Sequence, residues 1–274
     1  GRAGAWAAIT FGLAGGVHAE AGVGDTRTHG TGVAAVEAPL DLAGAATHGT
    51  GVAAVEAPAF VVSADTTAGR AVASRPLVDA PGLDQRVLDL ALRARECARK
   101  GGAATERADD VLSVIDFRLP SSEPRLWVLD LASGRTLYKE RVAHGRTTGD
   151  LDATRFSNVP GSNASSVGLY RTAETYVGKH GRSLRLDGLD AGWNDRARDR
   201  AIVVHGASYC TLEHVEKWGR LGRSQGCPAL DPAVSDAVID TIRGGTLLFA
   251  YYPDADWLAG SSWLGCDAGP VADG

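Results

Sequence analysis

The sequence predicts an α+β fold, predominantly β, with a sandwich-like core and a few flanking helices. Three observations point there. Short apolar and β-branched runs recur between turn signals from residue 111 onward. Only two stretches, residues 83–100 and 229–242, carry a helical pattern. The segment before them has neither period, so the folded part begins late in the chain.

Residues 1–19 are mostly small or apolar, retain one basic residue, Arg2, and end in Val17-His18-Ala19. They read as a truncated secretory signal peptide, too short to span a bilayer. Residues 20–80 are rich in Ala, Gly, Thr and Val. A twelve-residue unit at 28–39 recurs perfectly at 47–58, too few copies for a stacked solenoid. A duplicated flexible linker is the expectation, with His29 and His48 as incidental members. Residues 81–267 are expected to form the folded domain and 268–274 a tail.

Within that domain, Leu83, Val87, Leu90 and Ala94 share one helical face, and Gly101-Gly102 stops the helix. Cys97 near its end is expected to fill a small core site. Residues 111–117 read as the first strand. Residues 126–131 and 136–143 form a hairpin about Ala132-Ser133-Gly134-Arg135. His144 is expected in a polar loop or on a rim. Residues 150–166, with Pro160-Gly161, form a loop. Strands follow at 184–186, 201–204 and 245–251. A helix is expected from Pro228 through 242, since proline suits a first helical position. Trp257, Trp263 and Cys266 are expected to pack back over the core.

The net charge of −5, without a basic block, argues against nucleic acid and anionic membrane surfaces as partners. No later stretch could span a bilayer. The informative region is 202–230. Ile202-Val203-Val204 leads into His205-Gly206, and Arg223-Ser224-Gln225-Gly226-Cys227-Pro228 follows. A thiolate flanked by small residues, with an imidazole to generate it, suits acyl transfer through a thioester. Gly226 leaves room for a carbonyl at the sulfur, and the amides around Gly226 and Cys227 could hold an oxyanion. A helix start beside Cys227, or Arg223, would lower the thiol pKa, and Arg223 could also bind a carboxylate. The rival chemistry is zinc on His205, Cys210, His214 and Cys227, but paired close ligands are missing. Cys97, Cys210 and Cys266 could each take part in a disulfide, and the pairing stays open.

His205-Gly206-Ala207-Ser208-Tyr209 and residues 222–230 resemble the signature of the murein L,D-transpeptidase catalytic domain family, of the YkuD type. The resemblance extends through Phe156-Ser157-Asn158, residues 165–172 and residues 174–181. It implies an L,D-transpeptidase-like fold with Cys227 as nucleophile, His205 as base, the Gly206 carbonyl orienting the imidazole, and amides near Gly226 as the oxyanion hole. It also implies a substrate groove to which Asn163, Ser165, Tyr170, Tyr209, Ser224 and Gln225 contribute. The family's commoner motif has histidine where Gln225 stands and an aliphatic-Arg pair where Pro228-Ala229 stands. Nucleophile and base are intact, and Arg223 is the candidate replacement for carboxylate recognition. The implied partners are peptidoglycan stem peptides outside the cytoplasm, in periplasm or cell wall, with no cofactor or metal. A water acceptor would give an L,D-carboxypeptidase, and lost chemistry an idle wall-binding module. Oligomeric state leaves no signal.

Overall fold

Asp84 sets where the first helix starts: its carboxylate accepts the Arg86 N–H at 2.8 Å. Helix α1 (Gln85–Lys100) therefore begins two residues later than its apolar spacing suggests. These observations come from a computed structural model that describes residues 78–266. The leader, the repeated units and the tail expected from the sequence lie outside the described residues. Val87, Leu88, Ala91, Leu92, Ala94 and Ala98 form the buried face of α1. Burying Val87, Leu88 and Leu92 contributes roughly 1.5–3 kcal/mol each.

The strands are β1 (Val111–Asp116), β2 (Leu126–Asp130), β3 (Arg135–Glu140), β4 (Gly168–Gly178), β5 (Gly181–Gly188), β6 (Val203–Gly206), β7 (Ala229–Leu230) and β8 (Leu247–Tyr251). They form one sheet in the order β3-β2-β1-β8-β4-β5-β6-β7. β1 is buried throughout because it lies inside the sheet, antiparallel to β2 and parallel to β8. At the β2–β3 turn the Asp130 carboxylate accepts the N–H groups of Ala132 and Ser133. Edge strand β3 alternates between exposed and partly buried positions.

The sandwich-like core takes a particular form: the single sheet curls until its edges meet. Ala143, just past β3, donates its N–H to Ala229 O of β7 at 2.8 Å. Leu126 and Val128 of β2 thereby share a core with Leu184 and Leu186 of β5, Val204 of β6 and Ile239. Helix α3 (Pro232–Ile242) closes this side. The opposite face is covered by α1 and by Trp257 of α4 (Ala255–Gly260). Short α2 (Leu212–Trp218) buries none of its residues. Among the described residues no helix is long and apolar enough to cross a membrane.

Two expectations are corrected. No helix starts at Pro228. Ala229 and Leu230 pair with His205 and Gly206 instead, and α3 starts at Pro232 with Asp231 capping the Ala233 N–H. Asp-Pro supplies both cap and first helical residue, whereas Pro228 follows a cysteine that offers no such cap. His144 is not on a rim but 1 % exposed, because its strand-like segment lies beneath residue 224. Trp257 and Trp263 do pack over the core, and Cys266 is disulfide-bonded to Cys97, 169 residues away.

Candidate active site

β6 delivers His205 to the floor of a cavity of about 390 Å³, and the segment before β7 delivers Cys227 to the same cavity. His205 is 2 % exposed, while Cys227 is a half-buried free thiol. His205 Nδ1 lies 2.9 Å from Gly206 O. A carbonyl only accepts, so Nδ1 carries the proton and Nε2 is the basic nitrogen of the neutral ring. Gly206 has no room for a side chain, since a Cβ would sit 2.6 Å from Ser235 Oγ of α3.

The loop around Cys227 is held from behind. Ser224 Oγ donates to Cys227 O at 2.7 Å and accepts the Gly226 N–H at 3.0 Å. Ser224 N–H in turn donates to His144 O. Gly226 has φ +117°, and a Cβ there would lie 2.6 Å from Ala164 O, so glycine is required on both counts. This corrects the expected oxyanion hole: the Gly226 N–H is already used by Ser224. The Cys227 N–H, close to its own sulfur, and the Val203 N–H favour negative charge there.

Burial pushes the Cys227 thiol up, and the Val203 amide, Arg200 and Lys179 offset part of this. Burial also pulls His205 down, against the Gly206 carbonyl, with His180 and Lys179 adding to the depression. The expected lowering of the thiol by a helix start fails because that helix begins five residues downstream. Both shifts favour a neutral thiol beside a neutral imidazole over an ion pair. Iodoacetamide alkylation of Cys227 is accordingly expected to accelerate with pH, with a midpoint above that of an unhindered cysteine thiol. A rate already level at neutral pH would contradict this. The other free thiol, Cys210, is buried, donates to Ala229 O and is pushed far up by burial.

The remaining expected contacts divide. Asn163, Tyr209, Arg223, Ser224 and Gln225 line the cavity with Cys227 and His205. Tyr170 and Ser165 do not. Tyr170 is 3 % exposed, with its hydroxyl donating to Ser166 O, because its strand parity turns it into the core. Ser165 is buried, accepting the Gly145 N–H and donating to Gly226 O, so it braces the loop instead of lining the groove. Arg223 forms an ion pair with Asp150 at 3.0 Å. Sequence reasoning missed Arg146, Tyr176, Lys179, His180 and Arg200, which also line the cavity. His180 stacks on His205 with ring centroids 4.5 Å apart. The available signal was position: Lys179-His180 sits at the β4–β5 turn, and Arg200 immediately precedes the β6 run. Among the described residues no three or more His, Cys, Asp or Glu are grouped to hold a metal ion.

The family model for the L,D-transpeptidase catalytic domain matches residues 79–251, more than half of the 274. Similar solved structures include an L,D-transpeptidase from Mycobacterium smegmatis, 16% identical with a TM-score of 0.33, covering 52% of this chain and 59% of that one. Another is the L,D-transpeptidase (Yku) from Stackebrandtia nassauensis, 17% identical with a TM-score of 0.30, covering 60% and 66%. A third is the helical cell shape determining protein Pgp2 from Campylobacter jejuni, 12% identical with a TM-score of 0.36, covering 59% and 55%. The match thus spans less than two thirds of each of these chains. No curated protein matches the sequence.

Proposed function

The chain belongs to the L,D-transpeptidase catalytic domain family, and from that premise we propose that it is an exported cysteine acyltransferase acting on peptidoglycan tetrapeptide stems. The observation that carries this is the shared cavity of Cys227 and His205, with His205 Nδ1 committed to Gly206 O so that Nε2 is the basic nitrogen. His205 takes the thiol proton, and the sulfur attacks the carbonyl between diaminopimelate and the terminal D-alanine. The Cys227 N–H supports the resulting oxyanion. When the C–N bond breaks, His205 returns the proton to the D-alanine amine and a thioester remains. A second amine then attacks the thioester carbon, gives its proton to His205, and expels the sulfur, which regains a proton.

Export is supported by the Cys97–Cys266 disulfide, since such bonds persist in oxidising compartments. Residues 81–267 would then be the catalytic domain and residues 20–80 its tether. Incubation of the protein with defined tetrapeptide muropeptides, followed by mass spectrometry, tests the reading. Cross-linked dimers and released D-alanine are expected. Trimmed tripeptide without dimer would assign a carboxypeptidase, and unchanged muropeptide would leave only a wall-binding module.

A further inference from the structure

The Nδ1 bond to Gly206 O fixes one corner of the His205 ring and leaves the plane of the ring free to tilt. What meets the face of that ring is a second imidazole. His180 is stacked on it, with centroids 4.5 Å apart and planes 26° from parallel. His205 is buried and His180 is exposed, so His180 stands between the base and solvent. The acyl transfer itself makes no use of a second imidazole.

The hairpin builds this contact. β5 lies beside β6, with Ser183 directly opposite His205. The β4–β5 turn comes just before Ser183: Gly178 pairs with Gly181, so Lys179 and His180 alone form the loop. Gly181, at φ +74°, lets that tight loop close. Arg182 fastens the turn to α3 through both carboxylate oxygens of Asp240. On the other side the Tyr176 ring lies against Gly178, where a Cβ would come within 2.8 Å of it. The Arg185 guanidinium sits 4.5 Å from the centroid of the Tyr176 ring. A two-residue turn braced on both sides thus holds His180 over the His205 of the next strand but one in the hairpin's sheet.

We propose that His180 is a positioning residue for the reaction at Cys227: lying flat on the His205 imidazole, it fixes the plane of that ring and keeps water off its face, so that Nε2 stays directed to the thiol. This rests on the reading of Cys227 as nucleophile and His205 as its base. Nitrogen lone pairs lie in the ring planes, so stacked imidazoles do not pass a proton directly, and His180 acts only through His205. The same contact governs proton affinity. Burial, to which the stack contributes, lowers the His205 pKa, the Gly206 carbonyl opposes, and His180 and Lys179 lower it further. The charged and titratable side chains sharing the cavity are Tyr176 and Lys179 of the β4–β5 hairpin, Arg200 before β6, Tyr209 after it, Arg223 and Cys227 before β7, and Arg146. None of them is a carboxylate that would draw a proton onto the ring.

Acylation of Cys227 by a tetrapeptide donor, followed by intact-protein mass spectrometry across donor concentration and pH, tests this in wild type, His180→Ala and His180→Phe. In His180→Ala the rate at saturating donor should fall about tenfold at neutral pH, with little change in the half-saturating concentration. The midpoint of the acid limb should move to higher pH, because a better solvated His205 ring holds a proton more readily. His180→Phe, which can stack but not titrate, should recover most of the rate and place the midpoint between the other two. A saturating rate or an acid midpoint unmoved in His180→Ala would overturn the proposal. So would a change confined to the half-saturating concentration, which marks a substrate contact, or a Phe variant no better than the Ala variant. Should His180→Ala not fold, wild type against His180→Phe decides: a retained rate with a raised acid midpoint supports the proposal, and an unmoved midpoint or a tenfold slower rate sinks it. Absence of acylation in wild type would remove the acyl-transfer reading itself, a result distinct from equal acylation of all three proteins.

Discussion

Replacing Cys227 by alanine is expected to abolish thioester formation and to leave the fold intact. The sulfur donates only a long hydrogen bond, to Ala201 O at 3.7 Å, and the side chain is half-buried. Its loss should cost no more than about 1 kcal/mol of stability. The neighbouring hydroxyl cannot take over, because Ser224 Oγ is engaged by Gly226 N–H and Cys227 O. Nor can Cys210, which is sealed behind Ala229 with its thiol held protonated by burial. Acylation by a tetrapeptide donor should therefore fall by at least about a thousandfold, as for removal of the nucleophile in other covalent enzymes. Intact mass and thermal midpoint, measured on wild type and Cys227→Ala together, check both halves. Equal acylation of the two proteins would remove Cys227 from the chemistry. A collapse of the midpoint would make it a structural residue.

What could be read from residues alone was whatever is encoded locally. The spacing of Val87, Leu90 and Ala94 announces α1, and the Asp130-to-Gly134 turn announces the β2–β3 hairpin, because both depend on neighbours within a few positions. The role of the Gly206 carbonyl was implied by the family resemblance, and a short motif can carry it because the carbonyl that fixes the imidazole belongs to the next residue. The errors arise where distant partners decide. Pro228 and Pro232 both suit a helix start, and the contest is settled by pairing of Ala229 with His205 across the sheet. The edges of the curled sheet meet through backbone bonds between residues 143–146 and residues 224 and 229, partners far apart in the chain. Arg200 drew no reading from the sequence, because its restraints come from residues 157–166. Tyr170 was assigned to the groove although its strand register points it inward, a one-residue parity that composition does not reveal.

The buried pair behind the cysteine loop leads to the other large effect, on acid stability. Arg125 is fully buried, donates to Val142 O and Leu119 O, and contacts His144 Nδ1 at 2.8 Å. Since guanidinium only donates, Nδ1 accepts and the ring is neutral, with its proton on Nε2. Burial and then the Arg125 charge hold the imidazole down, to about 4, against the Gly149 backbone, with Arg223 adding to the depression and Asp150 opposing it. Above about pH 6.5 the histidine is neutral in both the folded and the unfolded chain and its stabilising contact is fully present. As pH falls from about 6.5 to about 4, the unfolded chain binds a proton that the folded chain refuses, so protons favour unfolding. The shift corresponds to about 3 kcal/mol lost across that window. His144→Gln removes the titration. It should be less stable than wild type at neutral pH, because Arg125 loses its ring acceptor, yet its urea midpoint should decline less between neutrality and about pH 4.5. Carboxylate titration acts on both proteins and drops out of the comparison. Parallel midpoint curves would mean that His144 takes up its proton in the folded state, and that the Arg125 contact yields to admit it. Because His144 O receives the Ser224 N–H, such yielding would reach Cys227 before the molecule unfolds.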